Sequence, residues 1–142
     1  MTFPKPGVFF VIVLAITGAT QSRSPVAEIV GSWQGTSTCV DRVNYPACND
    51  ETVIYDVDSL SRPPGTVNVR ADKVVNGVRD SMGVMQFTYD TNARTWWSEF
   101  TTPRYHSRFT LTVTGNVMTG SLIELPSRRQ VRRMSLKRSP SH

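Results

Sequence analysis

The chain has 142 residues, with 16 Lys and Arg against 11 Asp and Glu, for a formal net charge of +5. That length fits one domain, and 39% hydrophobic with 19% charged residues excludes a disordered chain. Two Cys and two His are too few for a Cys/His-only zinc finger or a multi-bridge knottin, and nine Gly and nine Pro are too few for a collagenous or low-complexity chain.

Met1–Ser22 reads as a secretory signal peptide. Lys5 supplies a positive start, Val8–Ile16 (VFFVIVLAI) is an uninterrupted apolar run, and small residues follow. The run is far short of the ~20 residues that span a bilayer. Cleavage is expected after Ala19, with Thr17 and Ala19 at the −3 and −1 positions, or after Ser22. Removing Lys5 lowers the net positive charge by one unit. No later stretch is long enough for a transmembrane helix, so the product is expected to be secreted or periplasmic. Residues 23–28 form a short N-terminal segment, 29–138 the folded domain and 139–142 a tail.

Export gives the two cysteines a meaning. Cys39 and Cys48 enclose a polar stretch, Val40–Ala47 (VDRVNYPA), and an even pair this close in an oxidising compartment is expected to form a disulfide. On the chain-entropy account the bridge is worth roughly 2.5–3 kcal/mol. A metal pair would need two more ligands, and the mature histidines are only His106 and His142. The bridge should clamp the first hairpin and leave Arg42–Pro46 as a bulging, exposed loop.

After residue 28 no helical repeat is sustained. Short β-branched and aromatic runs alternate with turn residues about every dozen positions, the pattern of an all-β sandwich or barrel. The expected strands are 29–39, 51–58, 66–75, 78–89, 94–100, 104–113, 117–125 and 130–138. Asn76-Gly77 is a type I′ hairpin signal, Gly115-Asn116 a weaker one, and Arg62-Pro63-Pro64-Gly65 breaks the chain. Links this short make consecutive strands antiparallel, and eight of them in an up-and-down meander can close on themselves and remove their edges.

Alternation sorts the faces. Val53, Tyr55 and Val57 oppose Asp56 and Asp58; Val67, Val69 and Ala71 oppose Asn68, Arg70 and Asp72. Met85, Phe87 and Tyr89 share a face, with Gly83 marking a bulge or bend. Tyr105, Phe109, Leu111 and Val113 oppose His106, Arg108, Thr110 and Thr112. In the fifth strand Trp96 and Phe100 lie on one face and Trp97 on the other, so either one tryptophan faces outward or a bulge changes the phase.

Catalytic signatures are missing: the sequence contains no G-x-S-x-G, H-E-x-x-H, P-loop or G-x-G-x-x-G. His106 reads as a surface histidine. Asp41, Asp50 and Glu51 lack EF-hand spacing and read as a solvated loop. The basic strip from Arg128 to Arg138 reads as a solvated edge that resists aggregation rather than as a nucleic-acid site, which export also disfavours. No catalytic residue, metal or cofactor is therefore assigned.

Gly31-Ser32-Trp33 opens the first strand as G-x-W, and the last strand carries Arg128, Arg129, Arg132 and Arg133. This resembles the calycin signature of lipocalins, fatty-acid-binding proteins and avidins. The resemblance implies an eight-stranded up-and-down barrel whose first-strand tryptophan, here Trp33, closes one end. An arginine of the last strand, here Arg132 or Arg133, would lie across its ring by a cation–π contact worth ~0.5–2 kcal/mol. The chain is also similar to small periplasmic inhibitors of secreted metalloproteases, barrels with G-x-W and one disulfide that act through a short N-terminal trunk. Gln21–Glu28 (QSRSPVAE) would be that trunk, or slack behind the signal peptide. The expected function is a non-enzymatic binding protein holding a small apolar or amphipathic ligand inside the barrel, lined by Trp33, Tyr55, Phe87, Tyr89, Tyr105 and Phe109. The alternative is a surface-acting module that binds a protein, such as a protease inhibitor.

Overall fold

A computed structural model describes residues 1–3, 7, 13, 15 and 18–140. Most of the signal-peptide reading, including Lys5 and most of Val8–Ile16, lies outside the described residues, as does His142. Among the described residues no helix is long and apolar enough to cross a membrane.

One helical turn, α1 (Pro25–Ile29), precedes eight strands: β1 (Gly31–Cys39), β2 (Glu51–Ser59), β3 (Thr66–Val75), β4 (Val78–Asp90), β5 (Thr95–Thr101), β6 (His106–Thr114), β7 (Val117–Glu124) and β8 (Gln130–Arg138). Each strand pairs antiparallel with the next, and β8 pairs with β1, closing an up-and-down barrel. The turn chemistry explains the tight links. Asn76 and Gly77 both take positive φ (51° and 76°), as a type I′ turn requires. Opposite the Ala71/Asp72 step the register slips across Met82, so the bulge expected at Gly83 is present next to it.

The inward faces follow the alternation. Trp33, Val53, Val57, Val67, Phe87, Trp96, Leu111, Met118, Met134 and Leu136 are buried in one cluster. Fully burying side chains of this kind contributes ~1.5–3 kcal/mol each. Trp96 is the inward tryptophan of β5, at 2% exposure. Trp97 faces out, where the Arg108 guanidinium lies 4.6 Å above its ring.

At the base of the barrel, Ile29 departs from expectation. It does not begin β1; it ends α1 and is fully buried. Ser24 caps the helix by accepting from the Ala27 N–H at 3.2 Å and Pro25 occupies the first turn, a favoured start. The helix then leaves its last carbonyls without intrahelical donors. The indole N–H of Trp33 donates to Ile29 O at 2.8 Å, and the Arg138 guanidinium donates to Val30 O at 2.9 Å and to Glu28 O. Arg138 also lies 4.2 Å above the Trp33 ring.

The residue over Trp33 is thus Arg138, a correction to the expectation of Arg132 or Arg133. Register gives the reason. Antiparallel pairing sets Trp33, near the start of β1, opposite Arg138 at the end of β8. Arg132 and Arg133 pair with Cys39 and Thr38, at the opposite end of the barrel. Val26 packs on the core and Ile29 is buried in it, while Ala27 and Glu28 are exposed.

The seam between β4 and β5 is short. Only Thr88, Tyr89 and Asp90 pair with Trp97, Trp96 and Thr95, although β4 runs back to Val78 and β5 on to Thr101. The two strands diverge toward the end opposite Trp33, hereafter the mouth.

Candidate functional site

The mouth is ringed by the β1–β2, β3–β4, β5–β6 and β7–β8 links. Between the first of these and the inner walls of β5–β8 lies a cavity of about 430 Å³. Phe100, Leu122 and Val131 supply apolar wall, Tyr45 and Tyr105 line it from the loops, and Glu124 and Arg132 are its charged members.

The β1–β2 link is folded rather than merely bulging. The disulfide Cys39–Cys48 is present. Asp41 accepts from the Asn44 backbone N–H at 3.0 Å and from its side-chain amide, which holds the Asp41 carboxyl below its ordinary range. Asp50 accepts from the Cys39 N–H at 2.8 Å and pairs with Arg42 at 2.9 Å. These bonds turn Tyr45 back toward the barrel, where its hydroxyl donates to a Glu124 carboxylate oxygen. Burial, reinforced by that carboxylate, pushes the Tyr45 hydroxyl up to about 12. The exposed-loop expectation for Arg42–Pro46 is therefore corrected at Tyr45, the one aromatic of the loop, which fastens it to β7.

Arg132 points into the barrel because inward positions of β8 fall on even numbers, as buried Met134 and Leu136 show. Its Nη1 donates to Ser37 Oγ at 3.0 Å and lies 3.4 Å from a Glu51 oxygen, and its Nη2 donates to Asn49 O at 3.0 Å. Arg132 is thus a tie between β8, β1 and the start of β2, with its charge matched by Glu51. Arg133 faces outward and is exposed.

The six expected lining residues separate. Trp33 plugs the base, and Tyr89 packs on Trp96 with ring centroids 5.0 Å apart. Tyr55, Phe87 and Phe109 form edge-to-face pairs, with Phe109 6.4 Å from Tyr55 and 5.9 Å from Phe87. These three border a smaller apolar space of about 120 Å³ with Met82, Gly83 and Met85. Burial pushes the Tyr55 hydroxyl well above its ordinary value. Tyr105 is placed differently: it is 48% exposed, in the β5–β6 link, and lines the mouth cavity instead of the interior. Two bonds to Thr102, Thr102 N–H to Tyr105 O at 2.7 Å and Tyr105 N–H to Thr102 Oγ1 at 2.9 Å, turn the chain one residue before β6 begins.

Sequence reasoning did not mark Tyr45, Leu122 or Glu124 as site residues. A signal existed only for Phe100, which alternation set on the face of Trp96. Tyr45 gave none, because the fold of its loop depends on contacts with Glu124 and Arg129 from β7 and the β7–β8 link.

In sequence the chain matches no protein-family model and no curated protein. The closed eight-stranded antiparallel meander is consistent with a calycin-like fold.

Proposed function

We propose that this chain is an exported, non-enzymatic binding protein of the calycin type that holds a small apolar or amphipathic ligand at the mouth of its barrel. The observation that carries this reading is the 430 Å³ mouth cavity, a size within the range of small-molecule sites, which are concave, largely apolar and fixed by a few polar groups. The base is filled by Trp33 and its neighbours, which supports binding at the mouth rather than throughout the barrel. The disulfide supports an oxidising compartment. The alternative, a surface-acting inhibitor, has less support because Val26, within its supposed trunk Gln21–Glu28, packs on the core.

Isothermal titration of the protein with hexan-1-ol, hexanoate and hexyltrimethylammonium tests the reading. Saturable one-to-one binding of at least one is the expected result, weakened when Leu122 in the cavity wall is replaced by Trp. Absence of binding by all three would overturn it.

A further inference from the structure

We propose that the mouth cavity recognises an organic ammonium cation, an inference that rests on reading the mouth as a ligand site and adds the charge of the ligand's head. Three aromatic side chains, Tyr45, Phe100 and Tyr105, line one cavity together with the Glu124 carboxylate. They come from three different places: the disulfide loop, the inward face of β5 and the β5–β6 link. Aromatic faces carry the negative end of the ring quadrupole and attract a cation brought within about 6 Å. A carboxylate beside them supplies the counter-charge. An alkylammonium head is weakly hydrated on its methyl surface, so it suits apolar walls better than a carboxylate or a phosphate does.

The two charged lining residues are not equally free. Arg132 is committed to Ser37, Asn49 and Glu51, which matches its charge and directs its N–H groups at the protein. Glu124 accepts only from Tyr45 among the described side chains, and it makes no ion pair with any described residue, so its carboxylate retains accepting capacity. Of the other basic groups at the rim, Arg129 lies 3.5 Å from Asp41 and also faces the Tyr45 hydroxyl from outside the cavity lining, and Arg42 lies 2.9 Å from Asp50. Arg104 and Arg128 are solvent-exposed, where screening weakens their reach. Among the lining residues the charge without an ion-pair partner is therefore negative, in a protein whose net charge is positive.

Isothermal titration with the same three probes decides the matter, because they share a chain and differ in the head. Hexyltrimethylammonium should bind about tenfold or more tightly than hexan-1-ol or hexanoate. E124Q keeps an oxygen that can accept from Tyr45 but removes the charge, and it should remove most of that preference, read as the ratio of hexyltrimethylammonium to hexan-1-ol affinity. Phe100→Leu should do the same through the ring. Retained hexan-1-ol binding also shows that each variant is folded with its cavity intact. Equal binding of the three probes, or tighter binding of hexanoate, would overturn the ammonium proposal and leave the binding-protein reading standing. Failure of every probe would overturn both.

Discussion

Arg138 serves two carbonyls and one indole ring at once, so its removal leaves Glu28 O and Val30 O without that donor and uncovers Trp33. Arg138→Ala is expected to cost about 1–3 kcal/mol, from the lost bonds and the lost cation–π contact. Arg138→Lys should recover only part of this, because an ammonium cannot present a planar fork to two carbonyls. Arg133→Ala, on the exposed face, should stay within about 0.5 kcal/mol of the parent. Denaturant titration of the three variants checks the order, and equal loss from Arg133→Ala would refute the assignment of the closure to Arg138. Gly35 is constrained by a neighbour rather than by a turn. An added Cβ there would lie 2.0 Å from Ser135 O and 2.6 Å from Leu136 Cα on β8, which are backbone atoms that cannot step aside. Gly35→Ala should therefore open the β1–β8 ladder, with a loss of stability of about 3 kcal/mol or more, read from the same titration.

On the outer face of β2–β4, Asp56 accepts from Arg70 at 2.8 Å and from Arg79, which also bonds Asp72. Burial pushes the Asp56 carboxyl up, but hydrogen bonds from Arg79, Ser32 and Arg70 outweigh it and hold the group at about 2, against an ordinary 3.8. A carboxyl depressed in the folded state stabilises the fold above its unfolded pKa, and the contribution is lost as pH falls through the folded one. Stability should accordingly drop between about pH 4 and pH 2. The Asp56 share is about 1–2 kcal/mol after allowance for solvent screening. Asp56→Asn should flatten that part of the pH–stability curve measured by thermal melts. An unchanged slope would show that other carboxylates carry it.

At the scale of elements, the disulfide loop and the β4–β5 seam behave oppositely. The loop is tied by the bridge, by Asp41 and Asp50, and by Tyr45 on Glu124. Replacing both cysteines with Ser removes a constraint on the unfolded chain worth roughly 2–3 kcal/mol. It should lower the melting temperature by about 6–15 °C for a domain of this size, while far-ultraviolet circular dichroism stays that of a barrel. Two thiols alkylated in the unreduced protein would refute the bond itself. The seam has only three paired positions, so the backbone groups of Met85–Phe87 and Ser98–Thr101 that face across it have no strand partner. Their amides should exchange with solvent markedly faster than those of Val53–Val57, which are flanked by β1 and β3. Exchange mapped by mass spectrometry reads this directly, and uniform protection around the barrel would contradict a short seam.

At the scale of the molecule, the barrel divides into a filled base and an open mouth. The base holds the largest buried side chains, Trp33, Trp96 and Phe87, in one cluster with Ile29 of α1. The mouth holds polar inward residues, including Ser37, Ser107, Glu51, Glu124 and Arg132. An eight-stranded barrel can be filled by its side chains or hold one small ligand, and the inward face turns polar at the mouth-side ends of β1, β2, β6, β7 and β8, at Ser37, Glu51, Ser107, Glu124 and Arg132. This gradient turns a fold that can be solid into one with a cavity at one end.

Much of this was legible in the linear sequence because it is local. Period-two alternation, the Asn76-Gly77 turn and the spacing of Cys39 and Cys48 each act within a few residues. They set the eight strands, their inward faces and the bridge without reference to the rest of the chain. Where local signals ran out, tertiary geometry decided. Whether the arginine over Trp33 is residue 132, 133 or 138 depends on the β1–β8 register, set between segments about a hundred positions apart. The helical turn at Pro25–Ile29 is too short to announce itself by period and exists because Ile29 and Trp33 bury together. Tyr105 and Ile29 fall just before the strands that alternation assigns them to, because a strand's terminal residues take their state from the loop or helix that adjoins them. Tyr45, Phe100, Tyr105 and Glu124 come from separate stretches of sequence, and only the closure of the barrel brings them around one cavity.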